Sequence, residues 1–117
     1  MPLTAADLSG KRRHKYGAKP VTVDGIRFAS KAEAHRYRQL LLLEKAGEIA
    51  GLYLQPRYEL HAGESLKAIG AYVADFSYTD VRAGLVVVED VKGMQTPLYK
   101  WKKRHMRAQY GIEIREV

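Results

Sequence analysis

A run of valines that ends in charge sets the tightest limit on what this chain can fold into: residues 86–93 read Val-Val-Val-Glu-Asp-Val-Lys-Gly. Three consecutive β-branched residues belong in a buried strand, yet such a strand has no packing reason to finish on two carboxylates and a lysine. Side chains alternate along a strand, so Val86, Val88, Asp90 and Lys92 share one face while Val87, Glu89 and Val91 share the other. Asp90 and Lys92 then stand ~7 Å apart at Cα, near enough to act on one reacting group. The competing reading is a strand-end ion pair that leads into a turn at Gly93.

A second anomaly lies upstream. Residues 69–79 predict a strand with Tyr72, Ala74, Phe76 and Tyr78 on one face and Ala71, Val73, Asp75 and Ser77 on the other. A mid-strand aspartate among small apolar residues is unfavourable unless something pairs with it. The turn at 80–84 is short enough to make an antiparallel hairpin with the valine strand. If Asp75 and Asp90 share a face of that hairpin, their carboxylates converge and repel. A divalent cation with oxygen ligands, such as Mg²⁺, relieves this, as would a proton on one aspartate or neutralisation by Lys92.

The rest of the chain supplies the frame. Val21 to Phe28 alternates around Asp24-Gly25, a hairpin signal. Ser30-Lys31-Ala32-Glu33 opens a helix that runs to about residue 46 and stops at Gly47. Tyr37, Leu40, Leu41 and Leu43 supply its buried face, leaving Arg36, Arg38 and Glu44 wet. Glu33 has a structural use as capping-box partner of Ser30; a functional use requires the helix start to lie near Asp90. Residues 52–60 predict a strand interrupted at Pro56, with Gln55 either aimed at a site or satisfying backbone groups. Thr96-Pro97 starts a second helix to about Tyr110, with Leu98, Trp101, His105 and Ala108 at core spacing and Lys100, Lys103, Arg104 and Arg107 as a basic stripe. Residues 112–117 alternate as a last strand.

Length and charge narrow the class. A chain of 117 residues suits one domain, here residues 21–117, preceded by a basic arm over residues 1–20. The net charge of +7 favours a polyanionic partner. In the arm, Lys11, Arg12, Arg13 and Lys15 precede Tyr16, a cluster suited to gripping phosphates and stacking on a base. No stretch approaches the roughly 18 apolar residues of a membrane span, and the first residues lack a signal-peptide core. With no cysteine there is no disulfide or thiolate zinc site, as expected of a cytoplasmic protein. The four histidines show no metal-ligand spacing and read as surface or packing residues.

In this order the elements are helix, three strands, helix, strand. The chain resembles the PD-(D/E)XK, or restriction-endonuclease-like, nuclease superfamily, specifically its small phage-associated members. The resemblance runs from Lys15-Tyr16-Gly17 through Ser30-Lys31-Ala32-Glu33, Leu54-Gln55-Pro56 and Ala74-Asp75-Phe76 to Glu89-Asp90-Val91-Lys92-Gly93. It departs at Ala74, where the name-giving motif has proline. The resemblance implies an α/β fold with a mixed four-stranded sheet flanked by helices (αβββαβ). It also implies that Asp75, Asp90 and Glu33 bind Mg²⁺, or Mn²⁺ as a substitute, and that Lys92 orients or activates water. The expected function is metal-dependent cleavage of DNA, selective for shape or branching, inside a bacterial host. A homodimer would pair two sites for two strands, whereas a monomer would nick. The alternative is a non-catalytic nucleic-acid-binding or phage assembly protein on the same fold.

Overall fold

One long, bent antiparallel hairpin organises the molecule, whose computed structural model describes residues 19–91 and 95–117. A small hairpin of β1 (Val21–Val23) and β2 (Ile26–Phe28) leads into α1 (Lys31–Lys45). Then come β3 (Ile49–Leu54), β4 (Arg57–His61), β5 (Ala68–Val73), β6 (Phe76–Asp80), β7 (Leu85–Asp90), α2 (Pro97–Tyr110) and β8 (Arg115–Glu116). The principal sheet has the order β3-β6-β7-β8, antiparallel except for the parallel β7–β8 pair, and the two helices complete a mixed α/β fold. The arm residues Lys11, Arg12, Arg13, Lys15 and Tyr16, and also Lys92, lie outside the described residues. Among those described, no helix is long and apolar enough to cross a membrane.

The two expected strands 52–60 and 69–79 are each cut in two at the bend. β3 pairs with β6 and β4 with β5, and the register carries across: Leu54 faces Phe76 and Arg57 faces Val73. Between them Gln55 N–H donates to the Asp75 carbonyl and Ala74 N–H to the Pro56 carbonyl, both at 3.0 Å. Gln55 sits in the left-handed region with φ 55°, and Pro56 has no N–H to give, so the ladder rolls there. That roll overturns the expectation of one shared face. Tyr72 and Ala74 join a core with Leu60, Val88, Met106 and Ile114, whereas Phe76 and Tyr78 join another with Tyr37, Leu40, Leu54 and Val87. Adjacent Val87 and Val88 thus serve opposite faces of β7, one facing the α1 core and the other the α2 core.

α1 forms largely as its sequence predicts, with two corrections. Ser30 caps it by accepting the Glu33 N–H at 3.2 Å, and Ala34, Tyr37 and Leu40 are its buried stripe. Leu43 is 36% exposed rather than core, because it lies about 120° around the helix from the stripe's centre. Glu44 is not simply wet: it accepts the Leu52 N–H at 3.0 Å, freed where Gly51, at φ 65°, makes a bulge in β3. Arg36, also expected in water, turns inward as a fork onto Glu89, with Nε at 2.8 Å and Nη2 at 2.6 Å from the two carboxylate oxygens. Glu89 is 0% exposed and also accepts the Tyr78 hydroxyl. Burial, then the bond to Glu89, pushes the Tyr78 phenol up to about 12.

α2 is rotated from its expected setting. Thr96 caps it by accepting the Tyr99 N–H, and Gly111, at φ 68°, closes it. Yet Met106 is its buried residue, while Leu98 is 60% and Trp101 39% exposed, so the predicted core stripe of Leu98, Trp101, His105 and Ala108 is wrong. Polar anchors decide the rotation. Gln109 accepts the His61 N–H at 2.8 Å and donates to the Glu59 carbonyl at 3.1 Å, while Tyr99 donates to Glu116 at 2.8 Å. Moving the inward face by one residue is a turn of about 100°. The last strand is shorter than predicted, Arg115–Glu116, with the Val117 N–H donating to the Asp90 carbonyl at 3.0 Å.

Removing the guanidinium from the Arg36–Glu89 pair strands a buried carboxylate. Arg36→Met is expected to lower unfolding free energy by about 3 kcal/mol, and adding Glu89→Leu to recover much of that loss. Equilibrium urea denaturation checks both.

Candidate functional site

The candidate site lies where β7 ends. Its last residue, Asp90, is level with Asp75 at the bend, and β5 runs on past that point with no second strand beside it. Between β5 and the start of α2 is an open cleft of about 450 Å³, lined by Arg57, Ala71, Tyr72, Val73, Asp90, Thr96, Leu98, Tyr99 and Lys102. The start of α2 is fixed there by Glu116 of β8, which accepts from Gln95 and Tyr99, each at 2.8 Å, and lies 3.3 Å from Lys103. The Gln95 and Tyr99 bonds hold the Glu116 carboxyl down at about 2.

At the inner end of the cleft Asp75 and Asp90 meet as the hairpin argument expects. The Asp75 N–H is shared between the Glu89 carbonyl and Asp90 Oδ1, each at 3.1 Å. Asp75 Oδ2 accepts the Val91 N–H at 2.8 Å, and Asp90 Oδ2 accepts the Tyr72 hydroxyl. Glu33, on α1, is near enough for its negative charge to act on Asp75. The Ser30 side chain accepts the Glu33 backbone N–H, so the cap forms at this residue.

Two buried aspartates so close disfavour carrying both charges. Burial, then the charge of Glu33, holds Asp75 well above the usual carboxylate range, with the Val91 N–H working the other way. Burial, then the charge of Asp75, pushes Asp90 up to about 7, against the pull of the Tyr72 hydroxyl and the Asp75 N–H. The Tyr72 phenol is itself raised, by burial and by the charge of Asp90. Both shifts favour the protonated form of the aspartate pair over that of free carboxyls. Among the described residues no three His, Asp or Glu side chains stand close enough together to hold a cation. As a donor set, however, two aspartates and a glutamate offer oxygen atoms only, the chemistry that suits a hard divalent ion.

The remaining predicted residues divide. Lys100 and Arg104 are exposed on α2, but Lys103 is drawn to Glu116, and Arg107 lies 3.4 Å from Glu113. Gln55 stands beside the cluster through its backbone, which bonds to Asp75. Lys92 and the arm cations lie outside the described residues. Sequence reasoning missed Tyr72, Arg57 and Lys102. Lys102 is adjacent to a predicted cation and was passed over because the helix was read about 100° out of rotation. Tyr72 lies one strand-turn before Asp75, but only the roll at Gln55 brings it to Asp90.

Residues 13–116 match the family described as Protein of unknown function (DUF1064), and the chain belongs to that family. No curated protein and no solved structure matches it.

A carboxyl that binds its proton more tightly folded than unfolded loses stability as pH rises from its unfolded value, about 4, through its folded one. With Asp90 at about 7, unfolding free energy measured in EDTA is expected to fall by on the order of 2–3 kcal/mol between pH 4 and 7.5 relative to an Asp90→Asn variant. Parallel denaturation curves for the parent and variant across that range check this; coincident slopes would refute it.

Proposed function

We propose that this DUF1064 chain is a divalent-metal-dependent DNA endonuclease with a restriction-endonuclease-like core, formed by α1, β3, β6, β7, α2 and β8, with the β4–β5 hairpin as an extension. The reading is carried by one observation: a helix and two strands, distant in sequence, deliver Glu33, Asp75 and Asp90 to one cluster beside a cleft containing Arg57 and Lys102. An acidic cluster costs stability, so a domain with a net charge of +7 has reason to keep one only if it does chemistry there.

Asp75, Asp90 and Glu33 would hold the ion. Bound there, Mg²⁺, or Mn²⁺ in its place, polarises a phosphoryl oxygen and lowers the pKa of water. Tyr72 holds Asp90 by its hydroxyl, and the Arg36–Glu89 fork fixes the helix that carries Glu33. Lys92, two residues past Asp90, neutralises negative charge that develops on the phosphoryl oxygens as the P–O bond breaks. Exposed Lys100 and Arg104, with Lys11, Arg12, Arg13, Lys15 and Tyr16 of the arm, supply sequence-independent attraction to the phosphate backbone. On this reading the chain acts in phage DNA processing inside a bacterial host.

The test is incubation of the purified protein with supercoiled, linear, single-stranded and branched DNA in Mg²⁺, Mn²⁺ or EDTA. Cleavage is expected with metal only, and Asp90→Asn or Lys92→Ala should slow it on the order of a hundredfold or more. Nicked product marks a monomer acting on one strand, and direct linearisation marks paired sites. No cutting under any condition favours the alternative of non-catalytic nucleic-acid binding, and variants that cut like the parent overturn the assignment of chemistry to Asp90 and Lys92.

A further inference from the structure

The cleft beside Asp90 has walls of different kinds. One is the unpartnered side of β5, at Ala71, Tyr72 and Val73; the other is the first turn and a half of α2, at Leu98, Tyr99 and Lys102. Arg57 belongs to the first wall, since it pairs with Val73 and so stands beside it on the same face. Among the described residues neither Arg57 nor Lys102 is in an ion pair, whereas Lys103 and Arg107 of the same helix are. Uncommitted cations on opposite walls, with Asp90 also in the lining, form a site for a polyanion.

Size limits what can enter. A volume of about 450 Å³ falls in the range of small-ligand sites. That is room for a nucleotide or two of a strand, whereas a duplex is too wide to enter it whole. The aromatic and apolar side chains there, Tyr99 and Leu98, offer a base a surface without reading its edge.

We infer that the cleft takes one unpaired strand of nucleic acid, its backbone phosphates held between Arg57 and Lys102 and its base against Tyr99 and Leu98. The substrate is therefore a single strand, or a strand end or branch that has left its partner. This rests on the nuclease reading for the identity of the polymer, but its test needs no cleavage. Binding of a labelled single-stranded oligonucleotide and of a blunt duplex of the same length is followed by fluorescence anisotropy in EDTA over a series of salt concentrations.

The parent is expected to bind the single strand more than tenfold tighter than the duplex. Arg57→Gln and Lys102→Gln should each weaken single-strand binding several-fold and together more than tenfold, and each should lessen the slope of log affinity against log salt by about 0.7. Arg82→Gln, in the turn at the far end of the β6–β7 hairpin, should stay within twofold of the parent. The inference is overturned if the parent binds neither form, if it binds the duplex as tightly, or if the double variant binds like the parent. Cleavage that needs Asp90 while the double variant binds normally sinks this inference alone. Weakened binding in the double variant without any cleavage by the parent supports it and sinks the nuclease reading.

Discussion

A buried carboxylate with a guanidinium forked onto it holds the two halves of this molecule in place. Glu89 has no solvent of its own and is satisfied by Arg36 and the Tyr78 hydroxyl. Such a pair returns little net stability compared with a well-packed apolar pair, because both ions must shed water. What it supplies is position. Arg36 is three residues after Glu33, on the same side of α1, so a fork that fixes Arg36 also fixes where the Glu33 carboxyl falls. Glu89 precedes Asp90 on the strand, and neighbouring residues face opposite ways. One strand end thereby anchors a helix beneath the sheet and presents a carboxylate above it. Either residue alone would leave the cluster of Glu33, Asp75 and Asp90 unassembled.

That cluster is the point where the fold gives up stability. Asp75 and Asp90 are each raised above the ordinary carboxylate range, chiefly by burial and then by an acidic neighbour. Four groups hold them in place despite this: the Val91 and Asp75 N–H groups, the Tyr72 hydroxyl and the bond between the aspartates. The Tyr72 hydroxyl comes from β5, the Asp75 N–H from the bend between β5 and β6, and the Val91 N–H from the residue after β7, so the carboxyls are oriented where the strands bend and end.

How far the sequence told this in advance varies with the range of the interaction. The Asp24-Gly25 hairpin and both helix caps are local patterns, and they formed as written; the valine strand formed where expected, but Val86, at its outer end, is 67% exposed rather than buried. The meeting of Asp75 and Asp90 was also legible, because a short turn and a two-residue period fix the register of a hairpin. Three things were not. The roll at Gln55 depends on a left-handed residue that carries a side chain, which no propensity anticipates. Arg36 reads as a wet helix position until the burial of Glu89 is known. The rotation of α2 was decided by Gln109 and Tyr99, polar residues that outweighed an apolar stripe containing the chain's one tryptophan.

The same three surprises make the cleft. Had the ladder run straight through Gln55 and Pro56, Tyr72 would face the α1 core with Phe76 and would not reach Asp90. Had α2 buried Leu98 and Trp101, Lys102 would point elsewhere and the apolar side of the helix would fill the gap that β7 leaves. The bend and the rotation instead put cations at the walls and acids at the inner end. Attraction and repulsion then act over different ranges. The net charge of +7 draws a polyanion from about a Debye length away, roughly 8–10 Å in physiological salt, while the acids repel it at contact. On the proposed reading, a phosphate held between Arg57 and Lys102 meets repulsion at Asp90 that a proton or a metal ion would relieve, so the walls would select the polymer and the acids would decide whether it reacts.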